Sequence, residues 1–186
     1  MNVYDFDGTI YAGDSTIDFY LFCLKKKKSL ISCIPGQLFA AFKYAIGKYD
    51  KVQFKEKFFV FFSKIDNIEQ VVKMFWDKNE NKIEEWYYKQ KNEEDVVISA
   101  SPEFLLEEIC KRIGIHTLIA SKVDNKTGKY SGKNCRGEEK PKRFFEVFPN
   151  ATIEEFYSDS ESDKPMAKFA NKSFLVKKGN ITLWNI

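Results

Sequence analysis

Asp5 and Asp7 stand two residues apart in the stretch Val3-Tyr4-Asp5-Phe6-Asp7-Gly8-Thr9-Ile10. Strand side chains alternate faces with a period of two, so this spacing sends both carboxylates the same way. Two such groups at the mouth of a buried strand repel each other and are costly to desolvate. A turn accounts for Asp7-Gly8, a common turn dipeptide, but leaves Asp5 unexplained. A metal site or a catalytic pair remains, and either needs partners from elsewhere in the chain.

In an open α/β sheet, ligands sit beyond the carboxyl ends of the strands, and reading only those ends supplies the partners. Ser99 follows the apolar run Val96-Val97-Ile98, Lys140 precedes a helical stretch that opens at Pro141, and the strand-like Ile153 to Ser158 releases Asp159 and Asp163. Each has an ordinary structural reading. Asp163 could cap a helix, and Ser99 could be a turn serine next to Ser101, the better cap. Lys140 opposes its helix dipole, which Glu138 and Glu139 could offset. Taken together, the set points elsewhere. Four carboxylates need a cation, and oxygen donors without His or Cys select a hard ion such as Mg²⁺. An ammonium and a hydroxyl facing the same place suit a tetrahedral anion, which makes a phosphoryl-transfer site.

The elements that must position these groups follow from periodicity. From about Asp14 to Asn92 the chain reads as helices. Phe54, Phe58, Phe61, Phe62 and Ile65 form one amphipathic face, and Ile68, Val71, Val72, Phe75 and Trp76 form the next. From Asp95 onward strands and helices alternate. Val96–Ser99 is a buried-type strand, Ser101-Pro102-Glu103 reads as a helix start, and Gly114 ends that helix. Thr117–Ser121 is a strand, Val123 to Gly132 a small hairpin, and Pro141–Phe148 a helix. The strand Ile153–Ser158 leads to a helix over Pro165–Asn171 and a terminal strand pair around Lys178-Gly179-Asn180. The expected fold is therefore α/β with a mostly parallel central sheet, interrupted after its first strand by a helical insertion. The expected organisation is a discontinuous core of residues 1–12 and 93–186, with a helical cap at 13–92.

Composition excludes several classes. The 186 residues carry a net charge of only +3 with the signs interspersed, so no basic stripe predicts nucleic-acid binding. The chain is 44 % hydrophobic and rich in aromatics, with 18 Phe and 9 Tyr. Cys23, Cys33, Cys110 and Cys135 form no CxxC pair, and His116 is the only histidine, which argues against zinc and against a disulfide framework. A strand starting at the first residues leaves no room for a signal peptide, and the expectation is a reduced, cytoplasmic protein. Ser29–Lys48 is largely apolar, but Pro35-Gly36-Gln37 and Lys43 interrupt it short of a spanning helix. With Lys25 to Lys28 beside it, the segment could instead meet an anionic membrane surface peripherally.

The motifs DFDGT, VVISAS, GEEKPKRF and YSDSESD occur in the order of the four motifs of the haloacid dehalogenase superfamily, which the whole chain resembles. The resemblance implies a Rossmann-like core, a cap inserted between the first two motifs, Mg²⁺ and an aspartyl-phosphate intermediate. Carried over, Asp5 resembles the nucleophile and Asp7 the general acid–base. Thr9, Ser99, Ala100 and Lys140 resemble the phosphate contacts, and Asp5, Asp7 (by its carbonyl), Asp159 and Asp163 the metal site. Ser158 stands where the family often has glycine. A halide leaves without a proton whereas an alkoxide needs one, so the Asp5/Asp7 pair favours a phosphatase; the cap decides the substrate, and a small phosphorylated metabolite is the expected one. The segments LIAS, NCRGEEK, YSDSESDKPMA and SFLVKKGNI also look like those of the phosphatidylglycerophosphatase C family, whose substrate is a lipid phosphate. A catalytically silent phosphate-binding module or a phospho-accepting signalling domain is the reading from another class.

Overall fold

The computed structural model describes residues 1–186. Six strands form one sheet in the order β3-β2-β1-β4-β5-β6. The first five, β1 (Asn2–Tyr4), β2 (Val96–Pro102), β3 (Thr117–Ser121), β4 (Ile153–Ser158) and β5 (Ala170–Lys177), are parallel, and β6 (Asn180–Leu183) pairs antiparallel at the edge. The turn between β5 and β6 places Lys178 at φ 49° and Gly179 at φ 77°, the left-handed pair that a two-residue hairpin turn requires.

Alternation sorts the strands' side chains into two cores. Tyr4, Val97 and Tyr157 face one way and Val3, Val96, Ile98 and Phe156 the other, so the central strands are apolar on both faces. The second face is covered by α7 (Glu139–Val147) and α8 (Lys164–Ala167), through Phe144, Met166 and Ala167. The first is covered by α6 (Glu103–Arg112) and by five helices that lie between β1 and β2 in sequence. These are α1 (Ser15–Lys26), α2 (Ile34–Ala45), α3 (Lys51–Phe58), α4 (Ile68–Asn79) and α5 (Glu85–Gln90). Their starts are capped as their sequences prescribe: Asp14 accepts from the Ile17 N–H, and Asp50 and Gln53 form a reciprocal capping box.

Several boundaries depart from the periodic reading. The phenylalanine-rich helix ends at Phe58 and tightens into a 3₁₀ turn over Phe59–Lys64. That turn rotates Phe59, Phe61 and Phe62 into the core and leaves Phe54 and Phe58 half-buried. Pro35 opens α2 rather than breaking it, because a proline in the first turn forfeits no helical hydrogen bond. Ser101 and Pro102 belong to β2, and no side chain caps α6. Helix α7 begins before Pro141, so Lys140 lies inside its first turn, and α8 stops at Ala167 because β5 starts at Ala170. The Val123–Gly132 hairpin is a single bridge, Val123 to Tyr130. All four cysteines are free and buried, and no helix is long and apolar enough to cross a membrane.

Candidate active site

The sheet order reverses beside β1, which has β2 on one side and β4 on the other. This is the switch point at which an α/β sheet opens a crevice at its carboxyl edge. Asp5 leaves β1 there, held by its N–H to the Tyr157 carbonyl (2.8 Å). The chain then folds tightly: the Gly8 N–H points at the carbonyls of Tyr11 and Gly13, both at 2.9 Å. Gly8 has φ +72°, and a Cβ there would collide with the Asp159 carboxylate. Glycine is required on both counts.

A cavity of about 480 Å³ opens over this loop, within the usual range for a small-molecule site. Asp5, Asp7, Ser99, Ala100, Lys140, Asp159 and Asp163 all line it. Seven of the eight residues singled out in the sequence therefore converge. Thr9 does not join them. It is fully buried behind Gly8, its hydroxyl without a partner, and it forms no part of the wall, so its expected contact with phosphate is not in place.

The buried Lys140 ammonium donates to Asp5 Oδ1 (2.7 Å) and to Asp163 Oδ2 (2.6 Å), and Ser158 Oγ adds a bond to the latter (2.8 Å). Burial alone would lower the Lys140 pKa, but Asp5 and Asp163 outweigh it and hold the ammonium above the ordinary lysine value. Burial pushes the Asp5 carboxyl up to about 7; Lys140 opposes the rise, and the Asp163 and Asp7 carboxylates add to it. The ammonium wedged between two carboxylates keeps its proton and favours the ionised form of Asp5 against the cost of burial. Ser158, at the position where the resemblance leads one to expect glycine, holds Asp163 in place.

Asp7 has a different setting. Its Oδ1 accepts the Ser15 N–H (2.6 Å), its Oδ2 accepts from Ser101 Oγ (2.5 Å), and Ser101 Oγ in turn meets Thr16 Oγ1 (3.1 Å). Burial raises its carboxyl to about 6, the nearby Asp14 carboxylate adds to the rise, and the bonds from Ser101 and Ser15 oppose it. The side chain is locked in orientation and titrates near neutrality. Sequence reading took Ser101 for a helix cap and missed this role. The signal was present: Ser99 and Ser101 share the two-residue spacing of Asp5 and Asp7, and the Ser101 N–H donates to Ser99 Oγ (3.1 Å).

The oxygens left over test whether a hard cation fits. No three His, Cys, Asp or Glu side chains form a ready-made metal cluster. Asp163 Oδ2 is taken by Lys140 and Ser158, and its Oδ1, like Asp5 Oδ2, accepts no hydrogen bond. What remains is Asp5 Oδ2, Asp163 Oδ1, the Asp159 carboxylate standing over Gly8, and the Asp7 carbonyl, which accepts no hydrogen bond. This all-oxygen set of few protein donors suits Mg²⁺, which keeps several waters. The cavity wall also includes Lys51, Phe54, Lys55 and Phe58 from α3, and Arg136 from the loop before α7, none of which the sequence motifs flagged.

Comparison with known proteins agrees with this geometry. The chain resembles protein CicA of Caulobacter vibrioides, 28 % identical over 99 residues, which is 50 % of this chain and 45 % of that protein. The chain therefore matches less than half of that relative's length. Among solved structures, a protein of unknown function from Bordetella pertussis Tohama I superposes with a TM-score of 0.75 at 16 % identity, covering 93 % of this chain and 87 % of that one. A substrate-bound phosphoserine phosphatase superposes with a TM-score of 0.57 at 17 % identity, covering 92 % and 82 %. At these identities the likeness is one of fold. The haloacid dehalogenase-like hydrolase profile matches residues 3–168, nearly the whole chain and all four motif loops, and the chain belongs to that family.

Proposed function

We propose that the protein is a phosphatase that hydrolyses a phosphomonoester through a phosphorylated Asp5, with a small phosphorylated metabolite as substrate. One observation carries this reading: the two carboxylates on one loop have different partners, Asp5 the Lys140 ammonium and Asp7 the Ser101 hydroxyl and the Ser15 N–H. A cationic partner favours the anionic carboxylate a nucleophile needs, whereas neutral donors leave Asp7 free to carry a proton. An Asp5 oxygen attacks phosphorus and the ester oxygen departs, taking the proton from Asp7. Asp7 then removes a proton from a water that attacks the acyl-phosphate and frees inorganic phosphate. The Ser101–Thr16 hydroxyl pair can reverse its donors, so Asp7 remains hydrogen-bonded in both protonation states. The Ser99 hydroxyl and the Ala100 N–H are available to the phosphoryl oxygens, and Lys140 neutralises Asp5 as charge builds. Asp5, Asp159, Asp163 and the Asp7 carbonyl would hold a Mg²⁺, which supplies charge neutralisation at the phosphoryl group. Residues 13–92 serve as the cap that closes the cavity from above.

Turnover of an aryl phosphate in the presence of Mg²⁺ tests the reading. Repeated turnover that excess chelator abolishes and Ca²⁺ restores poorly is the expected result. A single phosphate retained per chain, with no release, would make the protein a phospho-accepting module instead.

A lipid phosphate as substrate is the second reading, favoured by α2. Leu38, Phe39, Phe42 and Ile46 form one stripe of this helix and are between 48 % and 65 % exposed. Lys43 lies over the Phe39 ring, 4.7 Å from its centroid. The opposite side of α2 touches the cavity wall: Gln37 donates to the Phe58 carbonyl (2.9 Å), and Tyr44 stacks on Phe54. An apolar stripe edged with lysine suits an anionic bilayer. Faster turnover of a long-chain phosphate in anionic vesicles than of a short-chain one in solution would favour this reading.

A further inference from the structure

Three cations share the cavity with the reaction centre, and the chemistry above uses none of them. Lys51 and Lys55 lie one turn apart on α3, on the same face, where like charges destabilise a helix. Arg136 reaches the same cavity from the core side. None of the three joins an ion pair. Lys55 donates only to neutral acceptors, the Ala100 carbonyl (3.0 Å) and Asn134 Oδ1 (3.4 Å). Burial lowers its pKa to about 8, with Lys51 and Arg136 adding to the fall and Asp14 and Asp7 opposing it. Lys51 is lowered in the same way, by burial and then by Arg136. The nearby carboxylates do not relieve the crowding: Asp14 is exposed and spends Oδ1 on the Ile17 N–H, and Asp7 is bonded at both oxygens. Phe54 and Phe58 flank the two lysines on α3 and line the same wall. Lys51, Lys55 and Arg136 repel one another, and an anion bound among them would relieve that repulsion.

We propose that Lys51, Lys55 and Arg136 form a second anion subsite, so that the substrate carries a carboxylate or a further phosphate group beyond its phosphomonoester. The scissile phosphate lies over Asp5, the second anion lies among the three cations, and the linker runs along Phe54 and Phe58. This rests on the phosphatase reading and narrows its substrate class.

The test separates the two claims. Calorimetric binding of 3-phosphonopropionate and of propylphosphonate in the presence of Mg²⁺ compares ligands that differ by a carboxylate and cannot be hydrolysed. The expected result is about 10- to 100-fold tighter binding of the carboxylate-bearing ligand, the range for a charge-assisted contact. In Lys51→Gln and Arg136→Gln, whose side chains reach solvent, that ratio should collapse toward one. Equal affinities in the wild type, or a ratio that survives both substitutions, would overturn the subsite. This holds whether or not the protein turns over any ester. Hydrolysis of 3-phosphopropionate and propyl phosphate forms the second arm. Absence of turnover on these and on aryl phosphate would count against the phosphatase reading, while the binding ratio still decides the subsite. Dodecyl analogues of both ligands in neutral micelles identify the source: a preference confined to micelles assigns the second anion to a lipid headgroup, and one seen in free solution assigns it to a soluble metabolite.

Discussion

Replacing Asp5 with asparagine keeps an acceptor for Lys140 but removes the anionic oxygen that must reach phosphorus. Asp5→Asn should therefore abolish turnover while leaving the fold intact, because Lys140 retains Asp163. Asp7→Asn removes the proton carrier and should cost roughly 10²–10⁴-fold on an alkyl phosphate. The loss should be smaller on a nitrophenyl ester, whose leaving group departs without a proton. Equal losses on both esters, measured as kcat/KM, would give Asp7 a different role. Lys55 adds a pH dependence. Its pKa is lowered to about 8, so it is charged below that pH and neutral above it. The preference for a substrate with a second anion should fall as pH rises through about 8, whereas Lys55→Gln should show a flat, low preference throughout. At this scale the motifs revealed seven of the groups that line the cavity, because strand ends and the loops beside them gather at one edge of the sheet. They could not reveal Ser101 bonding to Asp7, Ser158 bonding to Asp163, or Lys55 approaching Ala100. Those contacts join segments far apart in sequence or depend on a rotamer, and no local pattern encodes them.

Among the elements, α2 shows how a locally ambiguous signal resolves. In sequence, Pro35-Gly36 reads as a break in an apolar stretch. In the fold the proline occupies the first helical turn, and the stripe Leu38, Phe39, Phe42 and Ile46 continues unbroken beyond it. A stripe this exposed on an isolated chain is the kind of surface that meets a partner. If that partner is an anionic bilayer, the protein should sediment with vesicles containing anionic lipid. Phe39→Ser together with Phe42→Ser should then release it. Replacing Lys25 to Lys28 with glutamine should weaken binding by about a hundredfold: Lys27 is already paired with Asp66, which leaves three ammonium groups outside any ion pair at roughly 1 kcal/mol each. Sedimentation with neutral vesicles alone, or with none, would remove the membrane from the account. The phenylalanine-rich segment was less legible than α2. Its helical period holds to Phe58, and only packing against the core converts the next turn to 3₁₀ and exchanges which rings are buried.

Across the whole molecule, the discontinuous α/β core with its helical insertion was readable from the change of texture at Asp95, because a strand's period and a helix's period are distinct. How the two parts are joined was not readable. One buried cluster of 28 residues runs without a gap from Tyr4, Val97 and Tyr157 on the sheet, through Leu105 and Ile109 on α6, to Phe19, Phe61, Phe62, Phe75 and Trp76 in the insertion. Trp76 Nε1 donates to the Leu105 carbonyl (2.7 Å), and Phe62 meets Phe104 edge-on. Each buried aromatic ring contributes about 1.5–3 kcal/mol relative to exposure. Detaching the insertion would expose several of them at once, a cost comparable to the whole stability of a domain. The insertion and the core should therefore melt as one unit. Differential scanning calorimetry is expected to show a single transition with calorimetric and van't Hoff enthalpies equal. Trp76→Ala should lower its midpoint without splitting it, at a cost of about 3–5 kcal/mol for a truncated core aromatic. Two resolved transitions in the wild type would instead mean that the insertion folds on its own, and that the cavity between the two parts can open as a hinged cap.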